Sequence, residues 1–307
     1  MDKSQLKINF RTRFESAINK WKNLSLSVKI FLIAFFLFFV FEVIVQVYPF
    51  LWVINNSLKS TEEFNYSDST SALTTTWAFI NYIKVFDEFV INGNIYYLQM
   101  LWNSVWQTFV YLFVNLLASA MIAYALARYR FPGRGFLYGL LIFTQTIPII
   151  GTGAAAYKLR YALGMINNPY TIWFYWMNGF DYSAFIMFGT FVGISRSYSE
   201  SAELDGASDL QILLKVMLPQ VVPLIVALMV TNFVTRWNDY ATAQISLNKY
   251  PSLAYGMFLY QLNSNWSQSG KVTYYAALVM TALPGVLLYA FFQNVIIKNV
   301  SVGGLKG

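Results

Sequence analysis

Cysteine and histidine are both absent from this 307-residue chain. Their absence removes disulfides, thiol nucleophiles, the usual imidazole base and the commonest metal ligands together. No redox compartment can be read from it, and no metal site is expected. Charge is scarce as well: 11% of residues are charged against 57% hydrophobic, with a mean hydropathy of +0.47. A soluble domain carries roughly 25% charged residues, so this chain has too few to build a polar shell around a core. The shortage excludes an ordinary soluble protein and points to lipid as the solvent. The net charge of +7 does not indicate nucleic acid. No long exposed basic domain exists to carry such binding, and the basic cytoplasmic flanks of membrane spans account for it.

Crossing about 30 Å of hydrocarbon takes roughly 20 apolar residues. Six stretches qualify: 30–54, 100–127, 135–157, 170–194, 216–235 and 272–297. The third contains Pro148, and the fourth carries Asn178-Gly179 and Asp181 in its middle. Lys3, Lys7, Arg11, Arg13, Lys20, Lys22 and Lys29 precede the first span, and Arg128, Arg130 and Arg134 crowd the link between spans two and three. By the positive-inside rule this places both termini in the cytoplasm. The expectation is an all-α membrane protein with a six-span domain over 30–297, an outer link at 55–99, a cytoplasmic loop at 195–217 and a short cytoplasmic tail at 298–307. The segment 1–29 repeats Leu6, Phe10, Phe14, Ile18 and Trp21 at helical spacing between basic residues, which predicts a helix lying on the cytoplasmic membrane surface. The apolar run after it is too long for a cleavable signal and reads as a signal anchor.

The loop between spans four and five carries the most specific pattern. Residues 198–204 favour a helix, Asp205-Gly206 offers a turn with positive φ, and Ser208 or Asp209 is placed to cap a second helix. Glu200-Ser201-Ala202, three residues, Gly206, nine residues, Val216, one residue, then Leu218-Pro219 resembles the "EAA" loop of the permease subunits of binding-protein-dependent ABC importers. The spacing agrees at every fixed point, with Ser201 standing for Ala and Val216 for Ile. Asp205-Gly206-Ala207 is similar to the D-G-A of the sugar-importing branch. The stretch 123–131 resembles the A-Y-A-L-A-R-F-x-F that closes span two in these permeases, Trp237-Asn238-Asp239-Tyr240 their W-N-D-F after span five, and 304–307 the tail of the smaller maltose-type permease. These motifs reach from about residue 101 to the end and leave the outer link aside.

The resemblance implies the type I ABC importer permease fold in a bacterial cell membrane, with the helix at Glu200, Ser201, Ala202, Asp205, Gly206 and Ala207 coupled to an ATPase. It implies four kinds of partner: a second permease subunit, two ATPase subunits, an external solute-binding protein and membrane lipid. This chain has no phosphate loop of its own. The nearest match, Gly270-Lys271, has Asn265 where the first glycine belongs and Val272 where Ser or Thr belongs. ATP and Mg are therefore expected on the partner ATPases, with no cofactor on this chain.

Ionisable groups inside spans are expensive and are functional candidates by default. Glu42, Asp181 and the run 236–239 stand out. Sugars are bound by aromatic faces and by carboxylates or amides, and Trp173, Tyr175, Trp176, Asn178, Asp181 and Tyr182 supply both kinds. The competing account is that the aromatics form an interfacial belt and Asp181 pairs with a neighbouring helix. Three other functions stay open: the same importer for an amino acid, peptide or phosphonate, a membrane-embedded enzyme, and an ion-gradient transporter. Scattered carboxylates without His or Cys disfavour the enzyme, and the lack of an inverted repeat disfavours the gradient transporter.

Overall fold

The computed structural model describes residues 21–66, 70–91, 93–147, 151, 153–262 and 270–302. The expected surface helix over 6–21 lies outside the described residues except for its last position, as does the tail beyond Val302. Four long apolar helices dominate: α1 (Leu26–Ser57), α4 (Tyr97–Arg128), α10 (Asp209–Trp237) and α13 (Gly270–Val302). All four are long and apolar enough to cross a bilayer. Between α1 and α4 lie α2 (Thr61–Tyr66), α3 (Ile80–Glu88) and a hairpin of β1 (Val90–Ile91) and β2 (Ile95–Tyr96).

The third and fourth expected spans are not continuous helices. The third is split into α5 (Arg134–Thr146) and α6 (Gly153–Ala162), the fourth into α7 (Ile172–Trp176) and α8 (Tyr182–Gly193). The 12 residues of α8 rise only about 18 Å. Ile147 is extended, at φ −102° and ψ 113°, as steric pressure from the proline after it requires. In the fourth, Asn178-Gly179 interrupts the chain and Asp181 restarts it as the N-cap of α8, its side chain accepting from the Ala184 N–H. Irregular backbone at membrane depth must find other partners for its polar groups. Here Asn115 Nδ2 donates to the Asn178 carbonyl (2.9 Å), and Thr144 Oγ1 to the Phe180 carbonyl (3.2 Å).

The bundle core forms where α4, α8, α10 and α13 meet. One apolar cluster joins Met100, Phe233, Trp237, Leu253 and Ala277, and a second joins Ala120, Ala123, Tyr124, Met187, Phe191 and Val221. Small residues on α4 let α8 approach closely, the usual basis of helix association in lipid. The helix α1 stands apart, packing mainly on α13 and leaving its phenylalanines exposed. Completing the order are α9 (Ser197–Leu204), α11 (Tyr240–Ser246) and α12 (Leu253–Leu262). Inside α10 a π turn spans Ile212–Met217. It sits just before Pro219, which has no N–H to offer the carbonyl four residues back.

The link 55–99 is a folded cap. Asn81 Nδ2 donates to the carbonyls of Ser57 and Lys59, both at 2.8 Å. The Glu63 carboxylate accepts from the Thr75 N–H (2.7 Å) and from the hydroxyls of Thr74, Thr75 and Thr76. Burial pushes the Glu63 carboxyl upward, but those hydrogen bonds outweigh it and hold the group at about 2. A depressed carboxyl stabilises the folded cap above its ordinary value of 4.5, and the contribution is lost as pH falls toward about 2. Pulse hydrogen exchange at residues 74–76 is expected to accelerate across that window, and Glu63→Gln to remove the dependence. An unchanged pH profile in the variant would mean that Glu63 does not order this loop.

Candidate functional site

A cavity of about 640 Å³ opens where α4, α6, α7, the break before α8, and the junction of α10 with α11 converge. Its walls are aromatic and polar together: Tyr111, Tyr175 and Trp176 beside Asn115, Asn178, Asp181, Arg160, Arg236 and Asp239. Each polar group is positioned by local structure. Asp181 Oδ1 accepts from the Ala184 N–H (3.0 Å) and from Ser119 Oγ on α4 (2.9 Å). Asp239 caps α11, accepting from the Thr242 N–H and hydroxyl, and its other role is an ion pair with Arg236 at 2.5 Å. The Arg236 guanidinium lies over the Trp176 ring at 4.6 Å, and that of Arg160 over the Tyr175 ring at 4.4 Å. Gly179 is where the broken chain presses on α4: a Cβ there would sit 2.3 Å from Ile122 Cδ1 and 3.0 Å from the Ala118 carbonyl oxygen.

The second site is the loop after α8. The helix α9 ends in a Schellman turn, with the Gly206 N–H on the Glu203 carbonyl and the Ala207 N–H on the Ala202 carbonyl. Gly206 has φ +81°, the positive value expected of the Asp-Gly pair. Ser208 then caps α10, its N–H donating to Gln211 Oε1 (2.9 Å). Glu200, Ser201, Asp205 and Gly206 face outward, and Leu204 stands 90% exposed at the tip. Ala202 and Ala207 turn inward and pack against the buried cluster that includes Tyr124, Ile212 and Met217. Beside it a cleft of about 270 Å³ is lined by Tyr124, Arg128, Arg196, Glu200, Glu203 and Asp209 among others.

The two sites lie toward opposite ends of the bundle. Tyr111 and Asn115 line the cavity and Tyr124 and Arg128 the cleft, both pairs on α4, about 20 Å apart along the helix. The short helix α8 bridges them. Its N-cap Asp181 is tied to Ser119, and the Ile194 carbonyl at its other end accepts from Arg128 Nη2 (2.8 Å).

Of the residues singled out from sequence, Trp176, Asn178, Asp181, Arg236 and Asp239 line the cavity together. Tyr182 is 62% exposed and not among its walls, and Glu42 lies on α1, which reaches the bundle mainly through α13. Tyr111, Asn115 and Arg160 were not legible as site residues. The first two sit in a charge-free span, and Arg160 looks like an ordinary flanking charge although it is buried. Asp181 caps a helix as well as lining the cavity, so the choice of substitution matters. Asn caps nearly as well as Asp. Asp181→Asn is therefore expected to lower solute uptake with the complex still assembled, whereas Asp181→Ala adds about 1 kcal/mol of lost capping. Uptake kinetics unchanged in Asp181→Asn would reduce the residue to its capping role.

Comparison with known proteins supplies the family and the fold. The family described as "Binding-protein-dependent transport system inner membrane component" matches residues 115–302. A diacetylchitobiose uptake system permease protein of Streptomyces coelicolor is 31% identical over 270 residues, covering 86% of this chain and 85% of that one. A galactooligosaccharides transport system permease protein of Bacillus subtilis is 25% identical over 273 residues, covering 89% and 94%. Among solved structures, a chain of a bacterial ABC transporter involved in import of the acidic polysaccharide alginate superposes with a TM-score of 0.72 at 25% identity, covering 88% of this chain and 98% of that one.

Proposed function

Because the chain belongs to the family of binding-protein-dependent transport system inner membrane components, we propose that its cavity is part of the path of an oligosaccharide through an ABC importer in the bacterial cell membrane. The chain is the permease subunit of that importer; nucleotide is hydrolysed on separate ATPase subunits. A solute-binding protein delivers the sugar, and a second permease subunit closes the other half of the path. One observation carries the reading: a cavity with aromatic faces, amides and carboxylates is joined by the single helix α8 to a rigid exposed loop. Sugar C–H faces meet Tyr111 and Tyr175, and hydroxyls exchange hydrogen bonds with Asn115, Asn178 and Asp181. The relatives' names, diacetylchitobiose and galactooligosaccharides, support the same class of solute.

Coupling follows from the connections. Closure of the ATPases displaces α9, whose Schellman turn and inward alanines make it move as one piece with the start of α10. Arg128 and Ile194 pass the displacement to α8, and α8 carries it to the break at Asn178-Gly179. There the backbone is held by side-chain hydrogen bonds from α4 and α5 rather than by a helical ladder. Such bonds can be exchanged during each cycle without unwinding a helix.

We propose that both termini lie in the cytoplasm, with the loop at 195–217 on the same side and the link at 55–99 outside. The absence of cysteine makes this directly testable. Leu204→Cys, at the loop tip, is expected to react with a membrane-impermeant thiol reagent only in permeabilised cells, and Leu73→Cys, 82% exposed on the cap, in intact ones. The reverse pattern would invert the topology and with it the assignment of the coupling loop. For the solute, vesicles holding the complete importer should accumulate labelled oligosaccharide in an ATP-dependent manner. Accumulation of an amino acid, peptide or phosphonate in its place would replace the sugar reading.

A further inference from the structure

Arg160 is a buried cation on the cavity wall with no carboxylate partner among the described residues. It is 6% exposed. Its Nε donates to the Ala156 carbonyl in its own helix (3.2 Å), and its guanidinium lies on the Tyr175 ring. Neither contact supplies negative charge, and no carboxylate of the described residues comes within ion-pair distance. The other ionised groups on the wall are already engaged. Arg236 is paired with Asp239. Asp181 sits at the positive end of α8 and takes two hydrogen bonds on one oxygen. A guanidinium cannot relieve its burial by losing a proton, and an unpaired buried charge is costly. Charge of that kind, kept on the wall of a polar cavity, is matched when an anion enters.

We propose that the cavity takes an acidic saccharide, whose anionic group pairs with Arg160 while its ring stacks on the neighbouring aromatics. The proposal rests on the oligosaccharide reading and narrows it. Planar carboxylates and sulfonates both suit the bidentate geometry of arginine. Tyr175, stacked beneath the guanidinium, holds the fork in one plane and is a positioning residue.

The test is direct binding to the purified complex of both permeases and the ATPases, without the binding protein, so that only the membrane cavity is sampled. Saturation-transfer NMR would compare digalacturonate, a sulfonated disaccharide and neutral galactobiose. The wild-type complex is expected to favour at least one acidic probe over galactobiose by about ten- to hundredfold, the worth of one charge-assisted pair. The acidic probe that wins identifies the anionic group. Arg160→Gln should abolish the preference, and Arg160→Lys, which keeps the charge without the fork, should retain part of it. Co-purification of the partners with each variant reports assembly. Equal affinity for acidic and neutral probes in the wild type, or a preference that survives in Arg160→Gln, would overturn the proposal and leave the oligosaccharide reading standing. Failure of all three sugars to bind would overturn both.

Discussion

A Gly206→Val importer is expected to lose most of its ATP-driven uptake while its spans still insert. Gly206 has φ +81°, and a Cβ there would meet nothing within 4 Å. The entire cost therefore lies in the backbone, on the order of 1–3 kcal/mol for a β-branched residue held at positive φ. The loop escapes that strain by abandoning the Schellman turn, which releases the Ala202 carbonyl and lets α9 swing away from the π turn at Ile212–Met217. Uptake in reconstituted vesicles should fall by about tenfold or more, as a loss of about 1.4 kcal/mol in the docked population implies. Gly206→Asn is the matched control, because Asn tolerates this region and should retain most of the activity. Glu200→Lys probes the same surface through charge: Glu200 is exposed on α9, and reversing it should weaken retention of the ATPase on co-purification. Normal ATPase retention and normal uptake in both Gly206→Val and Glu200→Lys would remove the loop from the coupling path.

The second large effect is expected at Gly179. Valine there would drive a Cβ against Ile122 Cδ1 and the Ala118 carbonyl oxygen. The isoleucine tip can rotate, but the carbonyl belongs to α4 and cannot. Overpacking of this kind costs about 1–3 kcal/mol, and it falls on the segment that carries Asn178 and Asp181 into the cavity. A lower denaturation midpoint of the purified complex and a loss of uptake are both expected. Adding Ile122→Ala should restore part of the stability, since it removes the side-chain clash and leaves the backbone one. A Gly179→Val importer of wild-type stability and uptake would show that the break does not press on α4 in the working protein.

The legible and illegible parts of this chain divide along the range of the forces involved. Apolar runs are a local property, so α1, α4, α10 and α13 could be placed from composition with ends in error by a few residues. The Asp205-Gly206 turn was equally legible, because positive φ is decided by one residue. The interruptions in the third and fourth spans show in sequence as Pro148 and Asn178-Gly179, yet hydropathy averages over them. Whether such a break is a kink or a true gap depends on partners far away in sequence, here Asn115 and Thr144. Arg160 could not be told from a flanking charge, since its burial is a product of packing against Tyr175. Glu42 attracts attention as a charge inside an apolar run, and it is not among the cavity's walls. Ala202 and Ala207 were singled out with the exposed loop, yet only packing reveals that they face the bundle while the surface around them faces outward.

The account depends most on the claim that nucleotide at the loop changes the cavity. Thr235 lines the cavity and is exposed, and the chain has no native cysteine to interfere. The rate at which Thr235→Cys reacts with a thiol reagent, measured in vesicles holding the complete importer with and without ATP, reads that change directly. A rate that shifts with ATP in the otherwise wild-type chain, and no longer shifts once Gly206→Val is added, is the predicted result. A rate indifferent to ATP, or a shift of the same size in the Gly206→Val background, would contradict it.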